Sequence, residues 1–208
     1  MEIKIDLNKV RIENGEMFVE LDSNAIQNAG KVELGTLAVG DRFMIGDDCF
    51  IVLEHANEGT KVISENFVYS DMSFGDNSDW RESRIRTKLN TDYFDKLSGI
   101  INKSNIIPIH RDLISLDGLD DYGTCVDNVS MLTAAEYAKY HKTLGLKSSY
   151  PDWWWTITPA STPSNDYSRY VCCVGSHGVL GWNGCGFECG VRPFCILKSS
   201  LLVLDNKE

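Results

Sequence analysis

Residues 181–195 read Gly-Trp-Asn-Gly-Cys-Gly-Phe-Glu-Cys-Gly-Val-Arg-Pro-Phe-Cys, and they divide into two unlike halves. The first half mixes glycine, cysteine and two aromatics and favours neither helix nor strand. The second, from Gly190, has the form of a fixed corner followed by a strand. Pro193 removes a backbone donor and drives Arg192 toward extended geometry, so its planar guanidinium is expected to reach fixed carbonyls or a carboxylate as a structural clamp. An unpatterned stretch beside a definite anchor points to a surface carried on a scaffold.

Upstream, Trp153-Trp154-Trp155 is the most unusual triplet in the chain. Each indole can bury about 150–250 Å². In a strand, Trp153 and Trp155 would share one face and Trp154 the other. Trp153, Trp155 and Arg192 are accordingly expected to hold the scaffold.

The rest of the chain supplies strands first and helices later. Ile3, Ile5 and Leu7, then Met17, Val19 and Leu21, alternate with polar residues on either side of Asn14-Gly15, which predicts a β-hairpin. Residues 22–32 read as a linker, so 1–30 would form a hairpin and linker ahead of a main domain over 31–208. A second hairpin is expected from Arg42–Ile45, a turn at Gly46-Asp47-Asp48 and the run Phe50–Leu53, with a further strand at Lys61–Ser64. Asp79-Trp80-Arg81-Glu82 fits a capping box, after which Ile85, Leu89, Tyr93 and Leu97 mark one buried helix face. Thr133-Ala134-Ala135-Glu136 opens a second helix, expected to run to about His141. Between the helices, residues 103–130 read as a long ordered loop. The order is α+β rather than alternating βαβ.

Composition narrows the function. The 208 residues carry a net charge of −10, which argues against a nucleic-acid partner. No apolar run approaches the ~20 residues of a membrane span, and the first residues lack a secretory h-region, so the expected site of synthesis and folding is the cytoplasm. Charge is uneven: residues 151–208 hold 4 Lys/Arg against 5 Asp/Glu, and the acidic excess falls in the first 150 residues. A neutral, aromatic third suits either a contact surface or core strands.

Of the seven cysteines, five lie between Cys172 and Cys195. Without a leader they are expected reduced; Cys185 and Cys189 are close enough in sequence to pair if oxidised, whereas adjacent Cys172 and Cys173 are not well placed to. A zinc site from these cysteines and His177 lacks a second Cys-x2-Cys, so no metal or cofactor is expected. His55, His110, His141 and His177 are scattered, and no nucleophile elbow, phosphate loop or HExxH occurs, which points away from an enzyme.

Several segments together carry a resemblance. They are Gly40-Asp41-Arg42-Phe43, Ser83-x-Ile85-Arg86-x-x-Leu89-Asn90, Met131-Leu132-Thr133, Trp153-Trp154-Trp155 with Thr158-Pro159, Ser176-x-Gly178 and Gly190-Val191-Arg192-Pro193. Spread over roughly residues 34–200, this set resembles an uncharacterised family of bacterial and prophage domains of Firmicutes that end in a Gly-Val-Arg-Pro strand. That family is similar to the C-type-lectin-like fold of formylglycine-generating enzymes, phage tropism determinants and the variable proteins of diversity-generating retroelements.

The resemblance implies two helices, short strands and long ordered loops that display a ligand-binding surface without catalysis. In the variable proteins a hypervariable stretch precedes the last fixed strand, and residues 172–189 hold that position. Diversified NNC codons cannot encode Lys, Glu, Gln, Met or Trp; from Val171 to Cys189 only Trp182 and Glu188 fall outside the allowed set. The expected contact surface is Cys172, Gly175, His177, Gly181, Trp182, Phe187, Glu188 and Cys189, facing a protein or glycan partner. The N-terminal hairpin would serve attachment or homo-oligomerisation, and a virion is an alternative location. Two other readings stay open: a cysteine- or metal-dependent oxidase on the same fold, and a structural virion or surface subunit with no small ligand. The cysteine pair and metal of the oxidases do not map onto Cys172, Cys173, Cys185 or Cys189, and calcium-type Glu-Pro-Asn lectin motifs are missing.

Overall fold

The computed structural model describes residues 10–14, 16–19, 30–145 and 153–206. Strands β1 (Val10–Glu13) and β2 (Glu16–Val19) pair antiparallel around Asn14, whose φ of 52° is the left-handed geometry such a turn demands. The alternating residues Ile3, Ile5, Leu7 and Leu21 lie outside the described residues.

The main body is mixed α+β and mostly antiparallel. A seven-stranded sheet has the order β3-β16-β4-β5-β6-β15-β8, from β3 (Lys31–Glu33), β16 (Leu202–Asp205), β4 (Arg42–Ile45), β5 (Asp48–Ala56), β6 (Gly59–Ser64), β15 (Phe194–Leu197) and β8 (Ile106–Ile107). Lys31 and Val32 thus belong to a strand and not to a linker. Three residues are too few to show alternation, and β3 is specified by pairing with β16 at the far end of the chain.

A five-stranded sheet has the order β13-β12-β11-β14-β7, from β13 (Leu180–Gly184), β12 (Tyr170–Val174), β11 (Trp154–Pro159), β14 (Glu188–Val191) and β7 (Tyr69–Ser73). Its one parallel pairing joins β11 to β14. The sheet curls, so that the Asn183 amide on β13 reaches the Cys189 sulfur on β14, 3.5 Å away.

The helical region departs in detail from its sequence reading. Asp79 accepts from the Arg81 N–H but caps only a 3₁₀ turn, Trp80–Glu82. Helix α1 (Arg84–Lys88) starts one step later, with Ser83 accepting from Arg86 N–H. A π turn at Leu89–Tyr93 leads into α2 (Phe94–Ile101), and Ile85, Leu89, Tyr93 and Leu97 are all buried, as their spacing predicted. The second box forms in full: Thr133 accepts from Glu136 N–H while the Glu136 carboxylate accepts from Thr133 N–H. Helix α3 (Ala134–Leu144) outruns the expected end at His141 by three residues. Residues 103–130 are not one loop. They contain β8 and a ladder of β9 (Ile109–Asp112) with β10 (Thr124–Asp127).

Two apolar clusters fill the body. One, around Phe43, Phe74, Trp80, Leu89, Trp155 and Val191, lies between the sheets and the α1–α2 segment. The other, around Ile51, Leu132, Tyr137, Trp154 and Phe194, lies under α3. Trp155 and Trp154 therefore serve opposite faces of β11.

Candidate functional site

Arg192-Pro193 is the corner at which the chain leaves the five-stranded sheet on β14 and enters the seven-stranded sheet on β15. A second crossing, residues 64–69, runs beside it from β6 to β7. The two are laced together: Ser64 N–H donates to Pro193 O at 2.8 Å, Val68 N–H to Val191 O at 2.9 Å, and Arg192 Nε to Ser64 O at 2.9 Å. Arg192 is 1% exposed and its guanidinium lies 5.0 Å from the centre of the Trp154 ring. A cation can be buried there because a carbonyl and an aromatic face replace water around it. Gly190 has no room for a side chain, since a Cβ would meet the Phe67 ring at 2.5 Å. Trp155 is buried, and its indole N–H donates to Met72 O at 2.8 Å. Trp153 stands apart from the other two anchors. It precedes β11, is 38% exposed, and lies across Gly175 and Gly181, where a Cβ at Gly181 would come within 2.8 Å of its ring.

The stretch before this corner faces outward in part only. Residues 175–179 form a tight turn closed by Gly178 N–H to Gly175 O, with Gly178 at φ +78°, and the Tyr137 hydroxyl of α3 donates to Gly178 O at 2.8 Å. His177 sits exposed at the tip, and Ser176 Oγ lies 3.1 Å from its Nδ1. Trp182 is 58% and Phe187 67% exposed; Val179, Leu180 and Glu188 are exposed as well, and Gly181 is half-buried.

Cys172, Gly175 and Cys189 are not on this surface. All three are buried. The pleat turns Cys173 and Cys189 into the curl of the sheet beside Trp155, and Cys172 is covered on the opposite face. Burial pushes the Cys172 and Cys173 thiols up to about 12, Cys185 to about 11 and Cys195 to about 12. Thiols held protonated in this way are packing groups and poor nucleophiles or ligands. Among the described residues no three His, Cys, Asp or Glu side chains are grouped closely enough to hold a metal ion.

The structure adds residues that the sequence did not single out. Next to Phe187 is a groove of about 630 Å³ lined by Gly75, Gly184 and Gly186, the rings of Tyr170 and Phe187, Arg169, and Asp76, which pairs with Arg84. Tyr170 stacks on exposed Tyr167, ring centres 4.7 Å apart and 10° from parallel. Tyr167 and Arg169 lie just upstream of the expected stretch, and only pairing of β12 with β13 brings them to it. The signal for the site is nonetheless in the sequence: Tyr170–Phe187 is a run of eighteen residues without one Asp, Glu, Lys or Arg.

A smaller cavity, about 420 Å³, lies across the molecule between the β4–β5 turn, the 64–69 crossing and the π turn. There the Asp48 carboxylate accepts from the Tyr93 hydroxyl at 3.1 Å and from Lys96 Nζ at 3.0 Å. Of its acidic groups, Asp48 is thereby committed to partners within the chain.

Compared with protein-family models, with curated proteins and with solved structures, the chain has no match. Among the described residues no helix is long and apolar enough to cross a membrane.

Proposed function

We propose that the chain is a non-catalytic ligand-binding domain of C-type-lectin-like type, prophage-encoded, that displays the outward part of 172–189 to a protein or glycan partner. The observation that carries this reading is the cluster of exposed Val179, Leu180, Trp182 and Phe187 within the uncharged run. Exposed apolar side chains grouped on one edge mark a contact surface, whereas scattered ones do not. The contact residues in this reading are His177, Gly181, Trp182, Phe187 and Glu188, with Tyr170 and Arg169 from the neighbouring groove. Trp155 and Arg192 hold the scaffold beneath them, and Trp153 bridges scaffold and surface.

Buried, protonated thiols support binding over a cysteine-dependent oxidation. Display from a virion or from the cytoplasm is equally served by this surface. Sequencing the surrounding locus tests the diversification claim. A reverse transcriptase and an adenine-bearing near-copy of the 3′ end are expected; a locus with neither removes that claim while leaving the binding surface to be tested by variants of Trp182 and Phe187.

A further inference from the structure

Strand β13 ends the five-stranded sheet, and among the described residues no strand pairs with its outer side. The backbone N–H and C=O groups of Leu180 and Trp182 therefore face outward without a partner, while Gly184 C=O already accepts from Phe187 N–H at 2.9 Å. An open edge of this kind is what folded proteins usually block. The other edges of the two large sheets are blocked. β7 carries Asp71, β3 carries Lys31 and Glu33, and β8 has only two residues before Pro108. β13 reads Leu-Gly-Trp-Asn-Gly, with no charge and no proline. It pairs with β12 in unbroken register from Tyr170↔Gly184 to Val174↔Leu180, so no bulge turns the edge away.

We infer that β13 is a docking edge that takes an extended, uncharged segment of a protein partner as a sixth strand. This rests on the display reading of 172–189 and narrows its partner from protein or glycan to a peptide strand. Backbone pairing supplies the attachment and alternate side chains supply the selectivity. On one face the incoming residues lie beside Leu180 and Trp182, which suits aromatic or β-branched side chains. On the other they meet Gly181, covered by Trp153, and Asn183, whose amide is already turned inward to Cys189. A charged residue set against Leu180–Asn183 would lose water beside two strands, β12 and β13, that carry no charge. The net charge of −10 opposes a second copy as the occupant. A glycan would stack on the rings and leave the edge unpaired.

The test is selection of random phage-displayed peptides on the immobilised chain. Uncharged sequences alternating aromatic or β-branched residues are expected, and their synthetic forms should protect the outward amides of Leu180 and Trp182 from hydrogen exchange. N-methylation of alternate peptide amides should weaken binding about 100-fold in one register and little in the other, as loss of two or three backbone hydrogen bonds requires. Trp182→Asp, at an exposed position, should abolish binding without changing the circular dichroism. Equal binding by both N-methylated registers, or a charged consensus, overturns strand addition but leaves the display surface standing if Phe187→Ser still abolishes binding. Light scattering that shows a dimer broken by Trp182→Asp also overturns it, by making a second copy the occupant. If no peptide is selected and no glycan on an array is bound in a way lost with Trp182→Ser or Phe187→Ser, both readings fall.

Discussion

Gly190 and Gly186 stand four residues apart and do different things. At Gly190 a methyl group would enter the Phe67 ring, which is itself wedged beside the double crossing; at Gly186 a Cβ would meet nothing within 4 Å. Gly190→Ala should therefore cost about 1–3 kcal/mol by overpacking. Gly186→Ala should stay within about 0.5 kcal/mol of the parent, as surface changes generally do. Urea titrations of the two variants check this contrast. The cysteines teach the same lesson about position. In sequence Cys172 and Cys189 look like neighbours of Trp182 and Phe187, yet the pleat sends Cys189 into the core, and Cys172, on the same face as its partner Trp182, is covered one strand further in. Nothing in a cysteine's identity distinguishes a buried thiol from an exposed one; only its register in the strand does.

At the scale of elements, the sequence was clearest where local chemistry decides. The β4–β5 hairpin, the buried face from Ile85 to Leu97 and the Thr133 capping box are all set by residues within a few positions of one another. Thr133→Ala should remove the side-chain half of the reciprocal cap, keeping the backbone N–H bond to Glu136, and destabilise the fold by about 0.5–2 kcal/mol, read as a lower thermal midpoint. The loss is expected at the upper end of its range, because Glu136 also accepts from Arg111 Nη2 at 2.6 Å and its orientation depends on the cap. Asp79 misled because a carboxylate three residues before Glu82 also suits a 3₁₀ turn. Long-range elements were invisible for a plain reason. β3 is three residues long and β8 two, and each exists because a distant strand offers it a ladder. The exposed part of the candidate surface was legible in its residues; the groove was not, since Tyr170 and Gly184 meet only through sheet pairing and Gly75 joins them through its N–H bond to Cys185 O.

For the whole molecule, the two sheets are joined by the paired crossings at 64–69 and 191–194, and an ion pair ties α3 to the seven-stranded sheet. Glu54 on β5 accepts from Lys139 and from the Tyr140 hydroxyl of α3, and these contacts hold its carboxyl down at about 2 against an ordinary 4.5. A depressed carboxyl stabilises the fold above about pH 4.5, and that contribution is lost as pH falls toward 2. After screening by solvent it is worth about 1–2 kcal/mol. Thermal midpoints should thus fall between pH 4.5 and 2.5 by more in the parent than in Glu54→Gln, which starts lower at neutral pH. A parallel fall in both would remove Glu54 from the account.

Charge also organises the molecule at this scale: the net charge of −10 leaves eighteen consecutive residues, Tyr170–Phe187, bare of it. The most direct measurement of the central claim is ligand capture by the parent and by Trp182→Ser/Phe187→Ser, both offered the same peptide library and glycan array at matched thermal midpoints. Both side chains are exposed, so the double variant should fold like the parent and lose every ligand the parent selects. Undiminished capture by the double variant would contradict the claim that this edge is the contact surface.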